Sequence, residues 1–287
     1  MNTTEHGVRF TCGGQSLIGV LHRPAHGAVR GVLIVTGGPQ YRAGSHRQFV
    51  LLGRHLAQSG IAAMRFDYRG MGDSEGDART FDHVDEDLQA ALRAFFDAVP
   101  TLREIVLWGL CDGATAAALY APQDARIAGL VLLNPWVRTE AGLARATLRH
   151  YYLARLVSPD FWRKLAAGAV DRRGALAAVR RAAKAALSMP RIEAASGIAT
   201  AGNAGDLPTR LHRALTRFPG PVLIMLSGAD LGAREFGALV ARHAHWRRLM
   251  ARSRITRAAI AGANHTCARK VWRDQVADLT TGWISSW

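Results

Sequence analysis

Cys111, Asp230 and His265 are the side-chain types that nucleophilic acyl chemistry needs. Cys111 is the centre of Gly109-Leu110-Cys111-Asp112-Gly113, the G-x-S-x-G nucleophile elbow with Cys in place of Ser. In that motif a strand turns at once into a helix. The central residue is forced into a strained backbone, and its side chain is thrust out above the sheet. Glycines flank it because a Cβ would clash where strand and helix nearly touch. The sulfur then stands at a helix N-terminus, where the dipole favours an anion and lowers a thiol pKa. His265 could take the proton of Cys111 and later give one to a leaving group. Asp230 could fix the imidazole tautomer and stabilise its cation. The backbone N–H of Asp112, with a second from Gly38 or Gln40, would face a developing oxyanion. Pro39 has no N–H to offer. The Asp112 carboxylate suits the helix dipole but raises a neighbouring thiol pKa, which leaves more of the activation to His265.

Each of these residues has a plainer reading by itself. Cys is among the most buried residue types. His265 is one of eleven histidines, and Asp230 could simply cap a helix. Their placement argues for more. In an open parallel sheet, sites form at the carboxyl ends of strands. Gly31–Thr36 is a continuous apolar run, typical of a strand covered on both faces, and it stops at Gly37-Gly38-Pro39-Gln40. Ile61–Phe66 ends at Asp67, Ile105–Trp108 runs into the elbow, and Gly129–Leu133 ends at Asn134-Pro135. Pro221–Leu226 is followed by Ser227-Gly228-Ala229-Asp230, and Ile255–Ile260 by Gly262-Ala263-Asn264-His265. A nucleophile, an acid and a histidine therefore each follow a strand, in the order an elbow-type site requires.

Helical patterns alternate with these strands. They cover Gln48–Gln58, Asp82–Phe96 with Val84, Leu88, Leu92 and Phe95 on one face, Ala114–Ala121, 232–250 and 268–283. Ser16–His22 reads as a further strand in an N-terminal part rich in them. Such alternation predicts an α/β fold, a mostly parallel sheet with helices on both faces. From Trp136 to Phe218 no strand is evident. Leu143–Leu156, Phe161–Leu165 and Leu176–Leu187 read as helices, and 191–208 as a mobile linker. The division expected is a core of residues 1–135 and 219–287 with a helical lid inserted at 136–218. Trp136, Tyr151 and Trp162 are candidate apolar lining for a substrate pocket, or simply packing residues of the lid.

The Gly-rich loop Asp67–Ser74 lacks the third glycine of a dinucleotide fingerprint and is followed by no Gly-Lys-Ser/Thr, so it is not read as a phosphate cradle. Asp67 and Arg69 are expected to lock it by charge-assisted hydrogen bonds. Cys267 reads as a packing residue at the start of the last helix, with a bridge or shared oxidation with Cys111 as the sharper alternative.

Composition sets the outer bounds. With 287 residues and 49% hydrophobic side chains, the chain can bury a sizeable core. No apolar stretch reaches a membrane-spanning length. The N-terminus lacks the basic start and apolar run of a secretory signal. Three cysteines do not make a disulfide framework. The cytoplasm is the expected compartment. The formal charge of +15 is uneven: residues 138–191 hold twelve Lys/Arg against three Asp/Glu, and 242–257 hold six Arg and no acid. Most of this excess is arginine, which a GC-rich genome would supply without selection for binding. No nucleic-acid motif accompanies it, and no metal-ligand spacing is present.

The Gly-Gly loop after the first apolar strand, Asp67-Tyr-Arg-Gly-Met-Gly-Asp-Ser74, the elbow and the Asp230/His265 pair resemble the α/β-hydrolase superfamily, in particular its serine-aminopeptidase-like branch, over nearly the whole chain. The elbow, with Gly37-Gly-Pro-Gln-Tyr-Arg42 and Gly44-Ser-His-Arg47, is more narrowly similar to the type-1 hydrolase associated with the bacterial exosortase A system. That resemblance implies a hydrolase that needs no cofactor, linked to exopolysaccharide and protein-sorting loci. The departure is Cys for Ser, which dienelactone hydrolases share. Ordinary peptidase or lipase activity is less expected for that reason. The leading reading is hydrolysis of an ester, thioester or lactone through an acyl-Cys111 intermediate. The substrate would be a small molecule or an acyl-carrier conjugate, with the lid arginines favouring an anionic one. An acyltransferase on the same residues and a binding protein with a degenerate site are the alternatives.

Overall fold

The computed structural model describes residues 3–37, 40–137 and 205–287. One compact unit comprises Met1–Val137 and Pro208–Trp287. Its centre is an eight-stranded sheet of order β1-β2-β4-β3-β5-β6-β7-β8. The strands are β1 (Thr4–Cys12), β2 (Gln15–Arg23), β3 (Arg30–Val35), β4 (Ala62–Phe66), β5 (Glu104–Leu110), β6 (Ile127–Leu133), β7 (Val222–Ser227) and β8 (Ile255–Ile260). β1 and β2 form a hairpin whose two loop residues, Gly13 and Gly14, both have positive φ, as the tightest hairpin turns require. β2 also pairs antiparallel with β4. The other pairings, which join β4, β3, β5, β6, β7 and β8 in that order, are parallel.

The described helices are α1 (Gln48–Gln58), α2 (Asp85–Ala98), α3 (Asp112–Tyr120), α4 (Leu207–Arg217), α5 (Leu231–Arg242), α6 (Ala244–Met250) and α7 (Lys270–Ile284). They cover both faces, and the two-residue alternation of β5 shows why. Ile105 and Leu107 enter the core with Leu88, Leu92 and Phe95 of α2 and the alanines of α3. Val106, Trp108 and Leu110 enter the opposite core with Phe49, Leu52 and Leu56 of α1 and Val276 and Ile284 of α7. The Trp108 indole is buried and donates to Thr280 Oγ1 at 3.2 Å, so its one polar atom is satisfied.

Three local features differ from the sequence reading. Helix α4 lies within the stretch assigned to the lid, yet Leu211, Leu215 and Phe218 are buried in the main core, and Arg210 pairs with Asp82 at 2.7 Å. The helix expected over 232–250 is two helices, broken at His243, whose φ of −115° and ψ of 121° are extended. Asp67 does not pair with Arg69. It is fully buried and accepts from Arg42 through both the backbone N–H (2.5 Å) and the guanidinium, while Arg69 turns to Asp87 (2.9 Å) and Glu86 (2.6 Å). Gly72 fits closely over that carboxylate: a Cβ there would run into Asp67. Of the lid, the helices expected over 143–187 and most of the 191–208 linker lie outside the described residues.

Candidate active site

The elbow is built by close packing. A Cβ on Gly109 would stand 2.5 Å from Ala114 N, and one on Gly113 would stand 2.6 Å from Val35 O. The turn from β5 into α3 can be this tight only with hydrogen at both positions. Cys111, between them, has φ 60° and ψ −125°, a conformation that side-chain-bearing residues rarely adopt. Its backbone is pinned on both sides. Its N–H donates to Leu133 O at 2.9 Å, and its carbonyl accepts from Thr115 N and Trp136 N, each at 3.2 Å. Thr115 Oγ1 donates to Trp136 O at 2.8 Å and closes the bracket. Cys111 is half-buried, so the residue is reachable from outside.

Asp230 and His265 arrive from the ends of β7 and β8. Asp230 is the N-cap of α5, and its Oδ1 accepts from Ala233 N at 2.7 Å. Its Oδ2 faces His265 Nδ1 at 2.8 Å. Capping and pairing with the histidine are therefore carried by the two oxygens of one carboxylate. With Nδ1 committed to Asp230, Nε2 is the nitrogen left to face the Cys111 sulfur. The hydrogen bond with Asp230 first, and then the influence of Cys111, raise the imidazole pKa to about 10 against the opposing effect of burial.

The loop after β3 comes up against the elbow. A Cβ on Gly37 would overlap Asp112 Oδ1 and stand 2.5 Å from Gly113 N. Gly37 is thus required by contact, not by its own φ. Asp112 is the first residue of α3, and its Oδ1 accepts from Gly113 N at 3.0 Å. Gln40 N donates to Gly37 O at 3.3 Å and closes the turn, so that N–H already has a partner. Gly38 lies outside the described residues. So do Tyr151 and Trp162. Trp136 is half-buried and holds the elbow through its backbone.

Three further residues near the strand ends carry no site role in the sequence reading. Tyr68, directly after Asp67, is buried, and burial together with the charges of Asp112, Asp87 and Asp67 pushes its phenol up to about 12. Asn134 and Ser227, the residues that follow β6 and end β7, are both buried and hydrogen-bonded to each other twice. Their only sequence signal is position: each stands where a strand gives way to a loop. Among the described residues no group of His, Cys, Asp and Glu could hold a metal ion, and no helix is long and apolar enough to cross a membrane.

Comparison with known proteins fits this geometry. No curated protein matches the chain. Among solved structures, an esterase from Pyrococcus furiosus superposes with a TM-score of 0.66 at 14% identity, over 99% of this chain and 91% of that one. A dienelactone hydrolase from Anabaena variabilis gives 0.62 at 14% identity, over 100% and 99%. Est1E from Butyrivibrio proteoclasticus, solved with ferulic acid bound, gives 0.61 at 16% identity, over 97% and 100%. At these identities the likeness is one of fold. The family model described as serine aminopeptidase, S33, matches residues 28–267, which contain the elbow, Asp230 and His265. The chain belongs to that family and has the α/β-hydrolase fold.

Proposed function

We propose that this protein is an acyl-transfer hydrolase that opens an ester, thioester or lactone through an acyl-Cys111 intermediate, with His265 as acid and base and Asp230 as its anchor. The observation that carries the reading is the 2.8 Å pairing of His265 Nδ1 with Asp230 Oδ2, at the strand ends beside a Cys111 held in the strained elbow conformation. A cationic imidazole anchored by a carboxylate is a suitable partner for a thiolate, which attacks without first needing a base.

In the first half-reaction the Cys111 thiolate adds to the acyl carbonyl. The negative oxygen faces the Asp112 N–H, with Gly38 the remaining candidate for a second donor from the loop after β3. Collapse expels the alkoxide or thiolate leaving group, and His265 gives it the Nε2 proton. The imidazole, now neutral, takes a proton from water, which attacks the acyl-cysteine. Collapse releases the acid and restores the thiolate and imidazolium. The reading is one of ester, thioester and lactone chemistry. Esterases and a dienelactone hydrolase among the fold relatives accord with it. The narrower resemblance to exosortase-associated hydrolases makes an acyl conjugate of an exopolysaccharide or protein-sorting system a candidate substrate.

The test is intact-mass spectrometry after incubation with aryl esters and acyl thioesters. The expected result is a mass gain of one acyl group on the wild type, absent in Cys111→Ala and slowed in His265→Ala. An adduct that persists in Cys111→Ala would mean a different nucleophile. A folded wild type that no donor labels would favour a non-catalytic binding protein. Transfer of the acyl group to an added alcohol in preference to water would make the protein an acyltransferase.

A further inference from the structure

Residues 242–257, with six arginines and no acid, run from the end of α5 through α6 into the start of β8. Arg254 is half-buried and donates to Leu215 O at 2.6 Å and Gly220 O at 3.4 Å, so it is spent on the end of α4. The other five, Arg242, Arg247, Arg248, Arg252 and Arg257, are exposed. His212 of α4 lies edge-on to His245, with ring centroids 4.7 Å apart, and Trp246 packs on Phe236 of α5 at 5.6 Å. Helices α4, α5 and α6 therefore meet beside β8 as one surface.

That surface holds an apolar groove of about 400 Å³. Leu226, Phe236, Val240 and Met250 form its walls, and its only charged lining residues are Arg247 and Arg257. Arg247 donates to Ala241 O at 2.7 Å, which fixes that guanidinium at the groove. β8 is an edge strand of the sheet, and the groove between it and α7 carries Asp274 and Asp278 beside Arg257. An excess of arginine that came from composition alone would show no preference between the two grooves, yet only the one on the α5 and α6 side is purely cationic. This groove is also separate from the proposed active site. Cys111 follows β5, three strands in from this edge. The arginines continue towards the amino end of β8, whereas His265 follows its carboxyl end.

A partner for this face needs negative charge for the guanidiniums and an apolar part for the groove. Guanidiniums bind phosphate oxygens in a bidentate fork. An anionic lipid carries both parts in one molecule, a phosphate headgroup and acyl chains. A nucleic acid carries the phosphates but no chain to fill the groove. We infer that this face docks the protein on an anionic lipid bilayer, with the exposed arginines against headgroup phosphates and the groove beside Arg247 and Arg257 taking up apolar chain. A cluster of about four to eight cationic side chains is what such a surface attracts. The attachment is peripheral, since no described helix is long and apolar enough to cross a membrane. The inference goes beyond the proposed acyl chemistry and does not depend on it.

The experiment is co-sedimentation of the full chain with vesicles, one set of phosphatidylcholine alone and one of phosphatidylcholine mixed with phosphatidylglycerol. The expected result is binding to the anionic set only, weakening as salt is raised. Arg247→Gln with Arg248→Gln should lower the partition coefficient about ten-fold or more. Arg9→Gln with Arg23→Gln removes the same charge from exposed positions of the β1–β2 hairpin, at the other end of the sheet, and should change it by less than about two-fold. Val240→Gln leaves the charge unchanged and should lower it about three-fold or more, because the groove no longer suits an apolar chain. If that variant does not fold, Val240→Thr, which keeps the shape of valine, should act in the same direction. A folded wild type that ignores anionic vesicles at low salt would overturn the inference. So would a hairpin pair that weakens binding as much as the α6 pair, which would reduce the effect to net charge. So would folded Val240 variants that bind as the wild type does. Duplex DNA held as tightly as the anionic vesicles would make the face a nucleic-acid surface instead.

Discussion

Two histidines in different regions of this molecule are driven in opposite directions. His265, beyond the carboxyl end of β8, meets a carboxylate and a thiol and rises to about 10. His22, on the antiparallel strand β2, is buried against Arg65, and it falls to about 4 through desolvation first and the arginine charge second. Its Nε2 accepts from Arg65 Nε at 2.9 Å, which only a neutral imidazole can do. Around His22 lies an ionic corner of Glu5, Arg54, Arg65, Arg42 and Asp67, and Arg65 binds the Arg42 carbonyl at 3.3 Å. Both regions bury titratable groups. In the corner they are spent on holding loops; around Cys111 one of them is kept half-exposed and charged. Deep burial beside a cation separates His22 from His265, whose hydrogen-bonded carboxylate outweighs its burial.

The largest test of this contrast is at the site. Cys111→Ser is expected to lose about 10³-fold or more in acylation at pH 7, because a serine hydroxyl must first give its proton to His265 whereas a thiolate need not. The loss should shrink as pH rises, measured as rate against pH. A serine variant as active as the wild type at pH 7 would overturn the thiolate reading.

Next is the buried pair beside the corner. Asp87 is fully buried and binds the Arg69 guanidinium and its backbone N–H, the latter at 2.8 Å. Asp87→Ala leaves that cation without its main partner and should cost about 3–5 kcal/mol in denaturant unfolding. Acylation per folded molecule should stay near wild type. A large kinetic effect in the folded fraction would mean that the two regions are coupled.

A smaller effect separates the histidines by pH. The unfolded chain protonates His22 near 6.5 and the folded chain near 4, so in this window the unfolded state holds more protons. Stability should fall by about 3 kcal/mol as pH drops through the window, and His22→Gln, which keeps an acceptor for Arg65, should remove most of that dependence. For His265 the window lies on the alkaline side. Its contribution is complete below about 6.5 and is lost as pH rises through about 10. Unfolding free energies measured from pH 4 to 10 would show both slopes.

The smallest change expected in stability is for Asp230→Asn on the alkaline side. The amide oxygen can still cap α5 at Ala233, so above about pH 10, where the His265 contribution is already lost, Tm should move by only a few degrees. The His265 midpoint should nevertheless fall well below 10 when the carboxylate charge is removed, as NMR titration would record. An unmoved midpoint would assign the shift to Cys111 instead.

The elbow, the order of Cys111, Asp230 and His265, and the parallel part of the sheet are legible in the sequence because each is a local fact. A strand of β-branched residues, a Gly-x-Cys-x-Gly turn and an alanine-rich helix are contiguous. An acid or a histidine just past a strand can be found by counting. Gly109 can be assigned for the same reason: the clash it avoids is with Gly113 and Ala114, a few residues along the chain. Gly37 is different. It is legible as a turn residue, but its missing Cβ makes room for Asp112, which is 75 positions away in the chain, a separation that follows from the two residue numbers.

What tertiary structure alone decides is partnership. Asp67 and Arg69 stand two apart and look like a pair, yet the fold sends one to Arg42 and the other to Asp87. The apolar face of α4 is hidden in a stretch of arginines and alanines, and only the placement of Leu211 and Leu215 in the core brings it out. Nothing in the neighbourhood of His22 or His265 along the chain says that one will be neutral and the other cationic, because Arg65 and Asp230 reach them through strand pairing and loop closure. The amino-acid sequence alone determines which groups can titrate. The electrostatic energy that shifts them falls off over a few ångströms, so it belongs to whichever side chains the fold brings that close.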